Sequence, residues 1–145
     1  MIGIVGQGFV GNAVYQKFNN YFETFTYDLD NTKCNAAEVW VFNQEIVFIC
    51  LPTPMNKDGS CNIELISKAV NKLSKTKNCK IAVIKSTVSP GTTARLNSLF
   101  PDLDIVFNPE FLTEANAVED FNNQKRIILG GPRPATTELR RIYSK

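Results

Sequence analysis

The chain alternates short β-prone runs, most of them wholly apolar, with longer segments whose apolar residues recur every three or four positions. The short runs are Met1–Val5, Phe22–Tyr27, Ile46–Cys50, Lys80–Lys85, Ile105–Phe107 and Ile127–Leu129. Runs this brief, without polar alternation, suit strands covered on both faces, the condition of a central parallel sheet. Between them, Asn62–Ser74 sets Ile63, Ile66, Ala69, Val70 and Leu73 on a single stripe, which predicts an amphipathic helix. Further helices are predicted over Val10–Phe18, over Thr92–Leu99 with Thr92 placed to cap it, and over Ala135–Tyr143 behind Pro134. A short helix around Ala36–Trp40 completes the set. Strand–helix alternation builds right-handed βαβ units, so the pattern predicts an α/β fold. Its sheet is expected to be doubly wound and mostly parallel, with six strands and helices on both faces. No Pro-, Gly- or Ser-rich linker divides residues 1–145, which read as one domain.

The first strand runs directly into Gly6-Gln7-Gly8-Phe9-Val10-Gly11, which opens the first helix, and Asp28 ends the second strand 22 residues after Gly6. A Gly-x-Gly-x-x-Gly string is weak evidence alone; between a strand and a helix, with an acid in that place, it is a dinucleotide-binding fingerprint of the Rossmann type. Gly6 permits the tight turn, Gly8 lets backbone N–H groups approach a pyrophosphate, and Gly11 lets the helix pack on the strand. The helix N-terminus adds unpaired donors for the phosphates. Asp28 is expected to accept hydrogen bonds from ribose hydroxyls and to repel a 2′-phosphate, which favours NAD over NADP; Lys33, five residues on, moderates that preference.

Composition narrows the chemistry mainly by exclusion. Sixteen Lys and Arg against fourteen Asp and Glu leave a charge of +2, too weak a field to predict nucleic acid or an anionic membrane as partner. The apolar run Ile46–Leu51 is far short of the roughly 20 residues that span a bilayer. Met1–Val5 lacks the basic start of a secretory signal. The absence of histidine excludes Ser-His-Asp and Cys-His machinery within the chain, and no metal site is expected. Cys34, Cys50, Cys61 and Cys79 form no C-x-x-C pair and read as reduced thiols of a cytoplasmic protein.

All strands of a parallel sheet end at one edge, and ligands bind outside those carboxyl ends. Three more polar or Pro-rich loops fall there: Leu51-Pro52-Thr53-Pro54, Ser86-Thr87-Val88-Ser89-Pro90-Gly91-Thr92-Thr93, and Asn108-Pro109-Glu110-Phe111-Leu112-Thr113-Glu114. Each is also an ordinary turn or helix start when taken singly. Their convergence on the edge that carries the glycine turn points to a site. Glu110 and Glu114, near a threonine hydroxyl, can steer a water or take a proton from an alcohol.

The glycine string and these three loops, the second extended back to Lys85 (Lys85–Thr93), resemble in this order the NAD-binding domain of the UDP-glucose/GDP-mannose dehydrogenase family; Ala117–Phe121 and Arg126–Gly131 are similar to it as well. The resemblance implies oxidation of a nucleotide sugar's C6 alcohol to a carboxylate with two NAD per turnover. It implies NAD contacts at Gly6, Gly8, Phe9, Val10, Gly11, Asp28, Lys33, Leu51, Pro52, Thr53, Ser86, Thr87 and Glu114. It implies a substrate-holding segment Glu110, Phe111, Leu112, Thr113 and Glu114, and catalytic roles in proton and water handling for Thr87, Glu110 and Glu114. The implied partner is a nucleotide sugar such as UDP-glucose. Nothing matches the family's linker helix or the Gly-rich motif that supplies its nucleophilic cysteine, so that thiol is expected from elsewhere, in a homodimer or from a partner chain. Cys50 is expected to pack in the core. The stretch between Asp28 and Thr53 is shorter than is usual in the family, which implies loss of a helix and a strand. Two other readings remain open at this point: a stand-alone NAD-binding or sensing module, and a fragment of a β-hydroxyacid-type dehydrogenase.

Overall fold

The computed structural model describes residues 1–145. Five strands form one parallel sheet: β1 (Ile2–Val5), β2 (Thr24–Tyr27), β3 (Ile46–Ile49), β4 (Ile81–Ile84) and β5 (Asp104–Phe107), in the spatial order β2-β1-β3-β4-β5. β1, β3 and β4 are buried at every residue, which is why their sequences show no alternation.

Helices cover both faces, as expected. Ile2, Ile4, Phe48 and Val83 point to one face and pack with Val14 and Phe18 of α1 (Phe9–Phe18), Phe121 of α5 (Ala117–Asn123) and Leu139 of α6 (Arg133–Tyr143). Val5, Val47, Ile49 and Ile84 point to the other face. There they meet Val41 and Phe42 of α2 (Glu38–Phe42), Ile66 and Val70 of α3 (Glu64–Leu73) and Leu96 of α4 (Thr92–Leu99). α2 lies so close over β1 that a Cβ on Gly3 would run into the Val41 carbonyl.

Four expectations need adjusting. The predicted sixth strand, Ile127–Leu129, is not one: the segment contributes a single antiparallel bridge, Phe107 with Gly130. The Ile128 carbonyl is taken instead by the Asn108 side chain at 2.9 Å, and Pro132 at the head of α6 ends any ladder. The short helix forms two residues later than predicted, over Glu38–Phe42, because Val41 and Phe42 are the residues that reach the sheet and Trp40 stays half exposed. Thr92 does not cap α4; it is the first helical residue and is buried, while Gly91 before it takes φ +87°, a left-handed conformation suited to glycine. α5 was not predicted: it buries only Ala117 and Phe121, too few positions to show a period.

Between β2 and β3 the chain makes only a 3₁₀ turn (Asn31–Lys33) and α2. With no strand there, β2 is an edge strand. Its free side is occupied by Asn35, whose amide accepts from Thr26 N–H at 2.7 Å and donates to the Thr24 carbonyl at 3.0 Å. One side chain thus mimics the pairing of a neighbouring strand.

Candidate functional site

The register aligns the last residues of all five strands, Tyr27, Val5, Ile49, Ile84 and Phe107. The residues that follow form the next row across the sheet: Asp28, Gly6, Cys50, Lys85 and Asn108. Backbone hydrogen bonds continue into it, from Gly6 N–H to Tyr27, Cys50 to Val5, Lys85 to Ile49 and Asn108 to Ile84, at 2.8–2.9 Å. The chain reverses direction across the sheet between β1 and β3, and the glycine turn emerges at that switch point.

Gly6 has φ +92° and leaves no room beside the Cys50 carbonyl for a side chain. Gly11 faces the Gly6 carbonyl, with which a Cβ would collide, so α1 packs directly on the turn. Gly8 is different. A Cβ there would meet nothing within 4 Å, because it faces an open cleft of about 700 Å³ at the head of α1. The turn therefore offers unobstructed backbone to a pyrophosphate.

That cleft runs along the sheet edge. Gly6, Gly8, Phe9, Val10, Asp28, Lys33, Leu51, Pro52, Thr53, Ser86, Thr87 and Glu110 line it, all of them singled out by the sequence. Gly11 lies beneath the turn. The remaining substrate-segment residues do not line the cleft. Phe111 is exposed under the Arg126 guanidinium, 4.9 Å from its ring centroid. Leu112 packs against the core, and its N–H donates to Glu110 Oε2 at 2.6 Å. Thr113 donates its N–H and hydroxyl to Asp120, and Glu114 starts an exposed 3₁₀ turn. Asp120 is held below the usual carboxylate range by those Thr113 hydrogen bonds.

At the β2 end, Asp28 Oδ2 accepts from Gln7 N–H at 2.6 Å and Oδ1 from Asp30 N–H at 2.9 Å. The two oxygens keep acceptor sites for ribose hydroxyls. α2 and α3 add Glu38, Phe42, Leu65, Lys68, Ala69 and Lys72 to this wall, none of which the sequence reading assigned. Lys72 pairs with Glu38 at 2.7 Å and Lys68 with Glu64 at 2.6 Å, so their charges are largely compensated. Their i, i+4 spacing on α3 was the available signal. At the other end, Thr53 Oγ1 donates to the Thr87 carbonyl at 2.7 Å and ties the β3 and β4 loops together.

Lys85, to which the sequence alone assigns no role, stands in the strand-end row. It is buried at the cleft, with its ammonium 3.3 Å from Asn108 Oδ1 and 5.3 Å from the Phe121 ring centroid. Burial pushes Lys85 down to about 8. Cys50, its neighbour in the row, is pushed up to about 12 by burial despite the nearby Lys85 charge, so its thiol is a packing group and no thiolate nucleophile.

A sequence model of the UDP-glucose/GDP-mannose dehydrogenase family, NAD binding domain, matches residues 28–145. The chain belongs to this family. The match begins at Asp28, so the glycine turn is additional support from outside it. The UDP-glucose 6-dehydrogenase of Rickettsia felis is 38% identical over 109 residues, 70% of this chain and 24% of the relative. An uncharacterized protein of Methanocaldococcus jannaschii, MJ1054, is 43% identical over 93 residues, 61% of this chain and 10% of that protein. In architecture, the chain superposes on GDP-mannose dehydrogenase from Pseudomonas aeruginosa with a TM-score of 0.83 at 22% identity, covering 99% of this chain and 44% of that one. UDP-glucose dehydrogenase from Pyrobaculum islandicum gives a TM-score of 0.83 at 24% identity, covering 99% and 43%. The chain thus spans about a quarter of the Rickettsia relative and under half of these solved structures. Its Rossmann-type sheet and its cofactor, NAD, are those of the family's NAD-binding domain. No helix is long and apolar enough to cross a membrane.

Proposed function

We propose that this chain is the coenzyme-binding part of a cytoplasmic nucleotide-sugar 6-dehydrogenase, acting on UDP-glucose or a close relative. The observation that carries this reading is the continuous cleft from Asp28, across the glycine turn, to Thr87 and Glu110, on a chain of this family. Asp28 and Lys33 hold the adenosine ribose, and the backbone of Gly6–Gly11 holds the pyrophosphate. Ser86, Thr87 and Glu110 would hold the nicotinamide end, where NAD would supply the hydride acceptor. Glu110 would receive the proton of the substrate hydroxyl there. Thr87, which lines the cleft, positions water for the later hydrolysis of a thioester, and Glu114, outside the cleft, takes no part in it.

The thiol for that thioester comes from elsewhere, from a further segment or a partner chain: burial raises Cys50 and Cys79 to about 12, and neither Cys34 nor Cys61 follows a Gly-Gly turn. The chain by itself binds NAD and does not complete the four-electron oxidation.

The test is a titration of the NAD-loaded chain with UDP-glucose, GDP-mannose and UDP, followed by amide NMR. Shifts in Glu110–Glu114 with a nucleotide sugar, absent with UDP, support the reading. NAD binding with no response to any nucleotide sugar would instead leave a coenzyme-binding module.

A further inference from the structure

Lys85 occupies a position that a structural lysine rarely takes. It follows Ile81 and Val83 on the same face of β4, where the α1, α5 and α6 side of the sheet is packed with apolar residues. Only 2% of it is exposed. None of the five ion pairs in the chain includes it. Of its three ammonium donors, one has a partner, Asn108 Oδ1 at 3.3 Å, and that oxygen also accepts the Tyr143 hydroxyl. Apart from the nearby Glu110 carboxylate this buried cation is little compensated and costs the fold free energy, which marks it as a candidate for a role in the cleft.

Its place in the cleft suggests what that is. The strand-end row runs Asp28, Gly6, Cys50, Lys85, Asn108. The ribose acid stands at one end and the phosphate turn next to it, so Lys85 lies toward the nicotinamide half, adjoining Ser86 and Thr87. We propose that the Lys85 ammonium makes this site hold reduced coenzyme more tightly than oxidised coenzyme. Its charge repels the cationic nicotinamide ring of NAD+ and is indifferent to the neutral ring of NADH. Such a site favours the product side of hydride transfer. The inference rests on the coenzyme lying across the glycine turn as described above.

The groups facing Lys85 from each packed element leave it as the one that switches. From β3 comes the Cys50 thiol, pushed up to about 12, and from α6 the Tyr143 phenol, which burial also raises. The loop after β5 supplies the Glu110 carboxylate and the Asn108 amide, and α5 supplies the Phe121 ring. Lys85 itself, held down to about 8 by burial, loses its charge within an accessible pH range.

The experiment measures dissociation constants of NAD+ and NADH for the intact chain, by calorimetry, from neutral pH to about one and a half units above the Lys85 value, and repeats them with Lys85→Met. NADH is expected to bind more tightly at neutral pH. The advantage should shrink by about tenfold as Lys85 deprotonates, the order of one partly screened charge–charge contact. In Lys85→Met the ratio should be reduced and flat with pH. The wild-type profile decides the matter even if the variant does not fold. A wild-type ratio that is independent of pH, with both forms bound, would overturn this inference alone; failure of both forms to bind would overturn it together with the coenzyme site.

Discussion

Gln7 N–H donates to Oδ2 of Asp28 across 2.6 Å, so the glycine turn is pinned to the end of β2 by the carboxylate proposed to meet the ribose. With Oδ1 receiving Asp30 N–H at 2.9 Å, Asp28 organises two loops before any coenzyme arrives. Asp28→Ala is therefore predicted to act twice. It should lower unfolding free energy by about 1–3 kcal/mol, because the Gln7 N–H loses its acceptor in a buried setting. It should also weaken NAD by roughly tenfold, through the lost ribose contacts. Asp28→Asn, which keeps one acceptor oxygen, should lose less stability. Urea denaturation and calorimetric titration measure the two effects separately; an Ala variant unchanged in both would remove Asp28 from the site.

Gly8 and Gly11 separate binding from folding. A Cβ at Gly8 enters the open cleft, where φ −68° suits any residue, whereas one at Gly11 strikes the Gly6 carbonyl. Gly8→Val should keep the wild-type melting temperature and lose most NAD affinity. Gly11→Val should lower the melting temperature by more than about 10 °C, as overpacking against backbone costs several kcal/mol in a domain of this size. Differential scanning fluorimetry with and without NAD distinguishes the two. Equal destabilisation by both would mean Gly8 is structural.

Asn35→Ala removes both hydrogen bonds that the side chain makes to the free side of β2. A loss of about 1–2 kcal/mol is expected, since Thr26 is buried and its N–H would be left without a partner. An uncovered strand edge also pairs readily with another chain. Light scattering should show the variant self-associating at concentrations where the wild type does not, and a variant as stable and monodisperse as wild type would show that the edge is protected in some other way.

Much of this was legible in the chain. Wholly apolar β1, β3 and β4 announce strands covered on both faces, and the Ile66-Ala69-Val70-Leu73 stripe announces α3. The loops at the strand ends were findable because parallel strands all end at one edge. What escaped has physical reasons. Ile127–Leu129 looks like a strand locally, but pairing is a tertiary matter, and Asn108 claims its carbonyl. Phe111, Thr113 and Glu114 are contiguous with Glu110, yet the Glu110 carboxylate folds back on Leu112 N–H and the chain turns away from the cleft. Lys85 was hidden because a lysine at a strand end normally reaches solvent. Only the register with Cys50 and Asn108, under Phe121 and Tyr143, shows that it does not.

Burial of Lys85 also sets a pH dependence of stability. Its folded value of about 8 lies below the ordinary 10.5, so the unfolded chain binds that proton more tightly and stability rises with pH between them. Below about 8 the cost of the buried charge is present in full. Cys50 and Cys79 act oppositely from 9 upward, because burial raises both to about 12 and the unfolded thiols ionise first. The clean window is therefore pH 8 to 9. Across it, wild type should gain on Lys85→Met by up to about 1.4 kcal/mol per pH unit. Urea unfolding of the pair at both ends of the window checks this, and a constant difference would contradict the buried cation.

The strand-end edge, from Asp28 through the glycine turn to Thr87, is proposed as an NAD site, and calorimetric titration of the chain with NAD+ and with NADP+ tests this. Saturable one-to-one binding of NAD+ is expected, with NADP+ weaker by about tenfold or more, the order of one carboxylate–phosphate repulsion at a partly screened site. NADP+ binding as tight as NAD+, or heat from neither, would contradict it.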